Sequence, residues 1–154
     1  MQRTLLVALL VLFHGFATAG VVPQSAREEL FNRALEGFWG RARMPDGTPI
    51  QPTSEQDRRT FPVNKSVANF AFDVGELSGL AQWCALDWKA NFTALTRSAR
   101  KNGQTEKQVA FISVLHGVAQ GTIETAMSKS EPCAPQEREK VRAQVERFWA
   151  VEPK

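Results

Sequence analysis

The feature that most constrains the fold is the segment from Val109 to Met127, which is apolar on nearly every side of the helix that it predicts. Its polar positions form one narrow strip around Ser113, Gln120 and Glu124. A helix of this kind needs neighbours on several sides to cover its apolar surface. The segment therefore predicts a helix buried in the middle of a bundle.

Apolar residues recur at helical spacing in four other stretches, and no stretch shows the alternation that is typical of a strand. This pattern predicts helices over 25–39 and 66–83, a third that ends near Asn102, and a last one that begins at Pro135. The sequence therefore predicts an all-α fold, a small helical bundle of about five helices with one disulfide.

Two of the predicted helix starts have the spacing of a capping box, Ser25 with Glu28 and Thr105 with Gln108. In each pair the hydroxyl and the longer polar side chain can bond reciprocally to free backbone N–H groups. Most charges of the first helix, Arg27 among them, fall away from its apolar face. We therefore expect these charges to be solvated.

Glycines occur in pairs four residues apart in two of the predicted helices. Gly75 and Gly79 weaken their helix by up to about 1 kcal/mol each, unless a neighbour packs close there. Gly117 and Gly121 lie in the central helix, where small residues allow a neighbouring helix to approach closely. We expect the second pair to serve as a packing device.

A polar segment over 41–65 separates the first helix from the others. It contains four prolines, Pro45, Pro49, Pro52 and Pro62, and Asp46-Gly47 predicts a turn. So long a loop is uncommon in a compact domain, and it either wraps the surface and serves binding or tethers the first helix loosely. We expect 21–154 to form a single helical domain, with an irregular loop over 41–65 and a helical core over 66–150.

Residues 1–20 are typical of a cleavable secretory signal peptide. Arg3 supplies the positive start, an apolar run covers 5–16, and Ala17-Thr18-Ala19 has the small residues that signal peptidase accepts. The run is too short to span a bilayer comfortably, although an uncleaved helical anchor is the alternative. We expect an exported protein, periplasmic or secreted, without a stable membrane anchor.

Two cysteines, Cys84 and Cys133, are present in the chain. In an exported protein an even pair most simply forms one disulfide. Closing a loop of this size stabilises a fold by about 4 kcal/mol in the chain-entropy model. Two free thiols would need a reducing compartment, and the absence of a Cys-x-x-Cys pair argues against a thiol oxidoreductase.

The charge and the motifs exclude several classes of function. The formal net charge is +3, and it falls to +2 when Arg3 leaves with the signal peptide, which is too weak to favour nucleic acid as a partner. No nucleophile elbow, phosphate-binding glycine loop or His-Glu-x-x-His is present. We therefore expect no nucleic-acid partner, no cofactor and no metal site.

His116 is the one histidine that follows the signal peptide, and Glu124 lies two helical turns after it. A histidine beside a carboxylate can act as a general base or a pH sensor. The alternative, which we favour, is a partly buried histidine with one hydrogen bond, because eight residues along a helix separate the two side chains too far for contact. His116 and Glu124 are thus weak catalytic candidates.

Trp39, Trp88 and Trp149 lie at or near predicted helix ends and are candidate partner-binding residues, because tryptophan is enriched in interface hot spots. Core or rim packing is the competing interpretation, since a small domain needs aromatic area. The triplets that begin at Asn64 and Asn91 fit the glycosylation pattern, which matters only in a host that glycosylates secreted proteins.

In layout, Trp83-Cys84, Cys133 and the charged helix from Gln136 to Trp149 resemble the small periplasmic acid chaperones of the HdeA type. The resemblance covers under half of the chain, and Leu115-His116-Gly117 departs from that family's acidic-apolar pattern. Cys133-Ala134-Pro135 after a glycine-containing helix resembles, more loosely, periplasmic immunity proteins of toxin-delivery systems. Both resemblances imply a small helical disulfide-linked periplasmic protein.

Three functions follow from these observations, in order of preference. The first is a non-enzymatic exported protein that acts by binding another protein, with the 41–65 loop and the tryptophans as contact surface. The second is a periplasmic stress chaperone that holds unfolded clients. The third is a small hydrolase that uses His116 or an acidic residue.

Overall fold

A computed structural model of the protein describes residues 21–151 and shows an all-α bundle, which confirms the predicted fold class. Its helices are α1 (Gln24–Phe38), α2 (Glu55–Arg59), α3 (Lys65–Trp83), α4 (Lys89–Lys101), α5 (Glu106–Met127) and α6 (Pro135–Val151). The predicted signal peptide, residues 1–20, lies outside the described residues. Over 21–151 the β-type backbone pairing is limited to one isolated antiparallel bridge between Arg43 and Pro49.

One of the two predicted capping boxes forms. The Thr105 hydroxyl and the Gln108 side chain bond reciprocally to backbone N–H groups at the start of α5. The Ser25–Glu28 box was a wrong prediction, because α1 begins one residue before Ser25 and its start has no side-chain cap. The Glu28 carboxylate instead accepts a hydrogen bond from Lys65 at the start of α3, so a contact between helices replaces the local one.

The 41–65 segment, expected to be irregular throughout, contains the short helix α2. The Ser54 hydroxyl caps this helix by accepting the Asp57 N–H at 3.0 Å, and acidic and basic residues occupy its first and last turns. The segment is fastened to the bundle, since Lys107 of α5 donates to Asp57 at 2.8 Å and the Trp39 indole donates to the Arg58 carbonyl at 3.0 Å. It wraps the surface and is not a loose tether.

Two helices, α3 and α5, share the centre of the bundle. α3 packs against α4, α5 and α6, and every residue over 74–79 is buried. α5 packs against α1, α3 and α4. The predicted central helix is therefore found, but α3 is the more deeply covered of the two, and part of the outer side of α5 faces solvent.

The first glycine pair brings these two helices together. A Cβ atom on Gly75 would lie 2.4 Å from the His116 carbonyl oxygen, and one on Gly79 would lie 2.6 Å from the Ile123 Cβ. Neither position can hold a larger residue unless the backbones move apart. A neighbouring helix therefore packs close against Gly75 and Gly79, as expected if a helix is to tolerate two glycines.

The second glycine pair does not pack against a neighbour, and that prediction was wrong. A Cβ atom on Gly117 or on Gly121 would have no atom of another element within 4 Å. Both glycines lie on the side of α5 that turns away from α3. Their spacing shows only that the two glycines share one face of the helix. The face that is buried is the one that carries the larger apolar side chains.

The predicted disulfide is present and joins Cys84 to Cys133, with their Cα atoms 5.0 Å apart. It ties the end of α3 to the turn before α6. Ala85, directly after the first cysteine, has φ +53°, the left-handed conformation that usually ends a helix at glycine. The far end of α6 is held by aromatic packing of Phe148 and Trp149 on Phe70 of α3.

Candidate functional site

His116 is buried at the contact between α3 and α5, with 2% of its surface exposed. Its Nε2 lies 2.9 Å from the hydroxyl of Ser78, which is fully buried. The Phe92 ring of α4 lies 5.0 Å from the imidazole, centroid to centroid. The pair resembles a nucleophile beside its base, but a substrate has no path to a serine with no exposed surface.

Burial lowers the pKa of His116 from its ordinary 6.5 to about 4. A neutral imidazole in an apolar site avoids the cost of burying a charge. Near pH 7 the ring is uncharged and satisfies the buried Ser78 hydroxyl. This placement agrees with the structural interpretation of His116 as a buried histidine with one hydrogen bond.

Glu124, the other catalytic candidate, is exposed and belongs to a separate polar strip. Its Oε1 accepts a hydrogen bond from Gln82 of α3 at 3.0 Å, and Gln120 donates to Gln82 at 2.5 Å. The three side chains form a bridge across the surface of α3 and α5. The structure thus separates Glu124 from His116 and does not bring the two candidates into one site.

The three candidate partner-binding tryptophans differ in their surroundings. Trp39 is 9% exposed, and the Lys107 ammonium lies 4.7 Å from its ring. The indole N–H of Trp149 donates to the buried Asn91 side chain at 2.9 Å. Trp88 is half-buried and stands at the N-terminal end of α4. Two of the three indoles therefore fasten one element of the fold to another.

The two glycosylation triplets also have structural roles for their asparagines. The Asn64 side chain caps α3 by accepting the Val67 N–H at 2.9 Å. Asn91 is buried, with 2% of its surface exposed, and holds Trp149. A glycan on Asn91 is incompatible with the folded state, because the amide nitrogen is enclosed by the bundle.

An open cleft of about 450 Å³ lies between residues 42–45 and the first half of α5. It is lined by Ala42, Arg43, Met44, Pro45, Arg100, Glu106, Val109, Ala110, Ser113 and Val114. Most of these side chains are apolar, and the charged ones are Arg43, Arg100 and Glu106. We call this surface the α5 cleft.

One wall of the α5 cleft is built by a turn that folds the chain back after α1. Met44 N–H donates to the Thr48 carbonyl at 2.9 Å, and Ile50 N–H donates to the Ala42 carbonyl at 2.9 Å. Asp46 stabilises the turn by accepting the Thr48 N–H at 2.9 Å. Asp46-Gly47 predicted this turn, but no feature of the sequence indicates that residues 42–45 lie opposite α5.

Beyond the cleft, the outer side of α5 continues as a surface of small residues. Gly117 is exposed, and Val118 and Gly121 are half-buried with no neighbouring helix over the glycines. Ala110, Val114, Gly117 and Gly121 recur at helical spacing, so this surface lies on the same side of α5 as the cleft. An open helix face suits the docking of an elongated segment better than the enclosed binding of a small molecule.

In the part of the chain that the structure describes, histidine, cysteine and acidic side chains do not gather in groups of three or more that could hold a metal ion. None of its helices is long and apolar enough to cross a membrane. No protein-family model, curated protein or solved structure matches the chain.

Proposed function

We propose that this is an exported, non-enzymatic protein, periplasmic or secreted, which binds another protein through the α5 cleft. The observation that carries the proposal is the open apolar cleft beside an uncovered face of the central helix. The Ser78–His116 pair supports it indirectly. Because that pair is buried, a hydrolase would have no accessible nucleophile there.

The lining of the α5 cleft indicates the kind of segment that fits. Met44 and Val114 offer apolar contact, and a methionine adapts its shape to different partners. Arg100 and Glu106, which both line the cleft, pair with each other. Arg43 donates to the Gly47 carbonyl, which leaves its charge for an acidic side chain. The partner we propose presents an apolar helix or extended segment with at least one acidic residue.

Export is supported by the features of residues 1–20 and by the disulfide between Cys84 and Cys133. Disulfides persist in oxidising compartments such as the periplasm or the extracellular space. In such a compartment we propose that the chain acts by binding another protein.

The test is affinity capture with the tagged protein from the envelope or culture fluid of its source organism, read by quantitative mass spectrometry. Ala110→Lys places a charge in the α5 cleft, and Ala126→Lys makes the same change at an exposed position of the same helix. We expect to capture one partner near equal stoichiometry. With Ala110→Lys the amount of captured partner should fall at least about 10-fold, a decrease typical of a disrupted hot spot. Ala126→Lys should retain it.

Two outcomes would refute binding through the cleft. One is equal capture of the same partner by both lysine variants, and the other is the absence of any stoichiometric partner. Thermal unfolding of both variants provides the folding control. Deletion of the apolar segment in the captured partner should abolish binding as strongly as Ala110→Lys does.

A second candidate function, a stress holdase, is favoured by the buried His116. Since burial holds its pKa at about 4, acidification forces a charge into the α3–α5 contact. Loosening that contact would expose apolar helix faces to unfolded clients. Hydrophobic-dye fluorescence should then rise between pH 6 and 3 without aggregation, and rise less in His116→Gln. Unchanged dye binding down to about pH 2 would refute this candidate.

A further inference from the structure

Three positions of α5, Ala110, Gly117 and Glu124, are seven residues apart and therefore lie on one side of the helix, with a drift of about 20° per heptad. Ala110 lines the α5 cleft, and Gly117 and Glu124 are exposed. In the described part of the chain, a Cβ on Gly117 or Gly121 would meet no atom of another element within 4 Å. We call this side of α5, from Ala110 to Glu124, the open face.

The two glycines of the open face allow a second helix to come close. Neither Gly117 nor Gly121 has a side chain, so the α5 backbone itself is the surface that a docked helix would meet there. The other glycine pair already brings two helices together in this fold, since a Cβ on Gly75 would lie 2.4 Å from the His116 carbonyl oxygen. The open face therefore has the shape of a helix contact.

Two residues of opposite charge lie at the two ends of the open face. Arg43 lines the α5 cleft together with Ala110, and Glu124 lies at the other end. Both charged residues are exposed, and neither belongs to an ion pair within the described chain. Arg43 donates to the Gly47 carbonyl at 2.9 Å, and Glu124 accepts from the Gln82 amide at 3.0 Å. Because these partners are neutral, both charges stay uncompensated.

A second copy of the chain matches this distribution of charge. When two α5 helices cross antiparallel at Gly117 with two-fold symmetry, a residue seven positions after the crossing meets the residue seven positions before it on the other copy. Glu124 of one protomer then meets the end of its partner's open face where Ala110 and Arg43 line the cleft. Symmetry repeats this pair, and the antiparallel direction also sets the two helix dipoles in opposition.

We propose that a second copy of this chain docks on the open face. In this two-fold dimer the α5 helices cross at Gly117, and Arg43 of each protomer pairs with Glu124 of the other. The proposal rests on the α5 cleft being a docking surface, as in the proposed function. Since the dimer covers the cleft, another protein that binds there displaces the second copy.

Sedimentation velocity of the purified protein tests the proposal, and we expect a dimer at about 100 μM protein. Arg43→Glu and Glu124→Arg each place like charges opposite one another, so each should raise the dimer dissociation constant at least about 10-fold. The double variant restores opposite charges and should return within about 3-fold of the original value. Arg147→Glu and Glu146→Arg, at exposed positions of α6, are matched controls that should leave the dimer unchanged.

Three outcomes would overturn the proposal. The first is a protein that stays monomeric up to about 200 μM, a concentration at which even a weak dimer is populated. The second is a dimer that either single reversal leaves intact, and the third is a double variant that does not regain the dimer. Circular dichroism of each variant provides the folding control.

Cross-linking gives an independent reading, because a residue on a two-fold axis meets its own copy. Under a mild oxidant Gly117→Cys should form a disulfide-linked dimer, which requires the two Cα atoms to approach within about 7 Å. Ala126→Cys, at an exposed position of the same helix outside the open face, should link far less. Equal linking of the two variants would refute the crossing at Gly117.

This proposal and the proposed function fail separately. A protein that is monomeric alone but still captures its partner through the α5 cleft would refute only the dimer. A dimer that captures no other protein would refute only the proposed function.

Discussion

The two glycine pairs provide a matched test of how α3 and α5 meet. Gly75→Ala and Gly117→Ala make the same chemical change in helix interiors, one inside the contact and one on the open side. At Gly75 the added methyl group would lie 2.4 Å from the His116 carbonyl oxygen and 2.6 Å from the Ala119 Cβ. At Gly117 it would have no neighbour within 4 Å.

The magnitudes follow from these distances. The atoms that meet a Cβ on Gly75 belong to backbone or to a Cβ, so they cannot rotate away and the helices must separate. Overpacking of a core costs about 1–3 kcal/mol, and this rigid contact belongs at the upper end. Alanine returns about 1 kcal/mol of helix propensity at either site. We expect Gly75→Ala to lose about 2 kcal/mol of unfolding free energy and Gly117→Ala to gain about 1 kcal/mol.

Urea unfolding followed by circular dichroism measures both changes in unfolding free energy. The comparison requires that the slope of the unfolding free energy against urea concentration is the same in each variant. Gly79→Ala and Gly121→Ala repeat the comparison one turn further along each helix. Gly79→Ala should destabilise, since its Cβ would lie 2.6 Å from the Ile123 Cβ. If Gly75→Ala were as stable as the original protein, or Gly117→Ala lost more than about 1 kcal/mol, the assignment of buried and open faces would be wrong.

Three further changes have expected outcomes of their own. The pKa of His116 is about 4 in the folded state and about 6.5 in the unfolded state, so the unfolded state binds the proton first as the pH falls. The free energy of unfolding should therefore fall by about 3 kcal/mol between about pH 6.5 and about pH 4, as measured by urea unfolding at each pH. In His116→Gln this part of the pH dependence of the unfolding free energy should disappear. Ala85→Gly should raise the unfolding free energy by about 1 kcal/mol in a thermal scan, because φ is +53° there, and a loss of stability would contradict that. Replacing Cys84 and Cys133 by alanine should cost about 4 kcal/mol for the 49-residue separation that the disulfide closes, and a cost under about 1 kcal/mol would mean that the unfolded chain is already constrained.

The elements of this fold that sequence could predict are those set by local chemistry. The apolar periodicity over 109–127 identified α5, and Thr105 with Gln108 identified its start. The cysteine count, together with the export predicted from residues 1–20, was enough to predict the disulfide between Cys84 and Cys133. The helix signals depend on residues that are close in the chain. The disulfide could be predicted because two cysteines can pair only with each other.

The parts that sequence could not predict depend on which faces meet. Both glycine pairs have the same spacing, and only the packing of α3 on α5 shows that Gly75 and Gly79 form the contact. Arg27 and Glu76 are 49 residues apart, and each looks like a solvated charge on its own helix until both are buried together. The wall of the α5 cleft likewise depends on where the turn at Asp46-Gly47 directs the chain.

The close approach at Gly75 also sets the chemistry of His116. The histidine meets the Ser78 hydroxyl at 2.9 Å because no side chain at Gly75 holds the two backbones apart. In Gly75→Ala the helices separate, so water should reach the imidazole and its pKa should rise from about 4 toward 6.5. The acid-dependent part of the unfolding free energy should therefore shrink in this variant and stay unchanged in Gly117→Ala. If NMR titration gave the same histidine pKa in both alanine variants, burial by the α3–α5 contact would not be what holds His116 neutral.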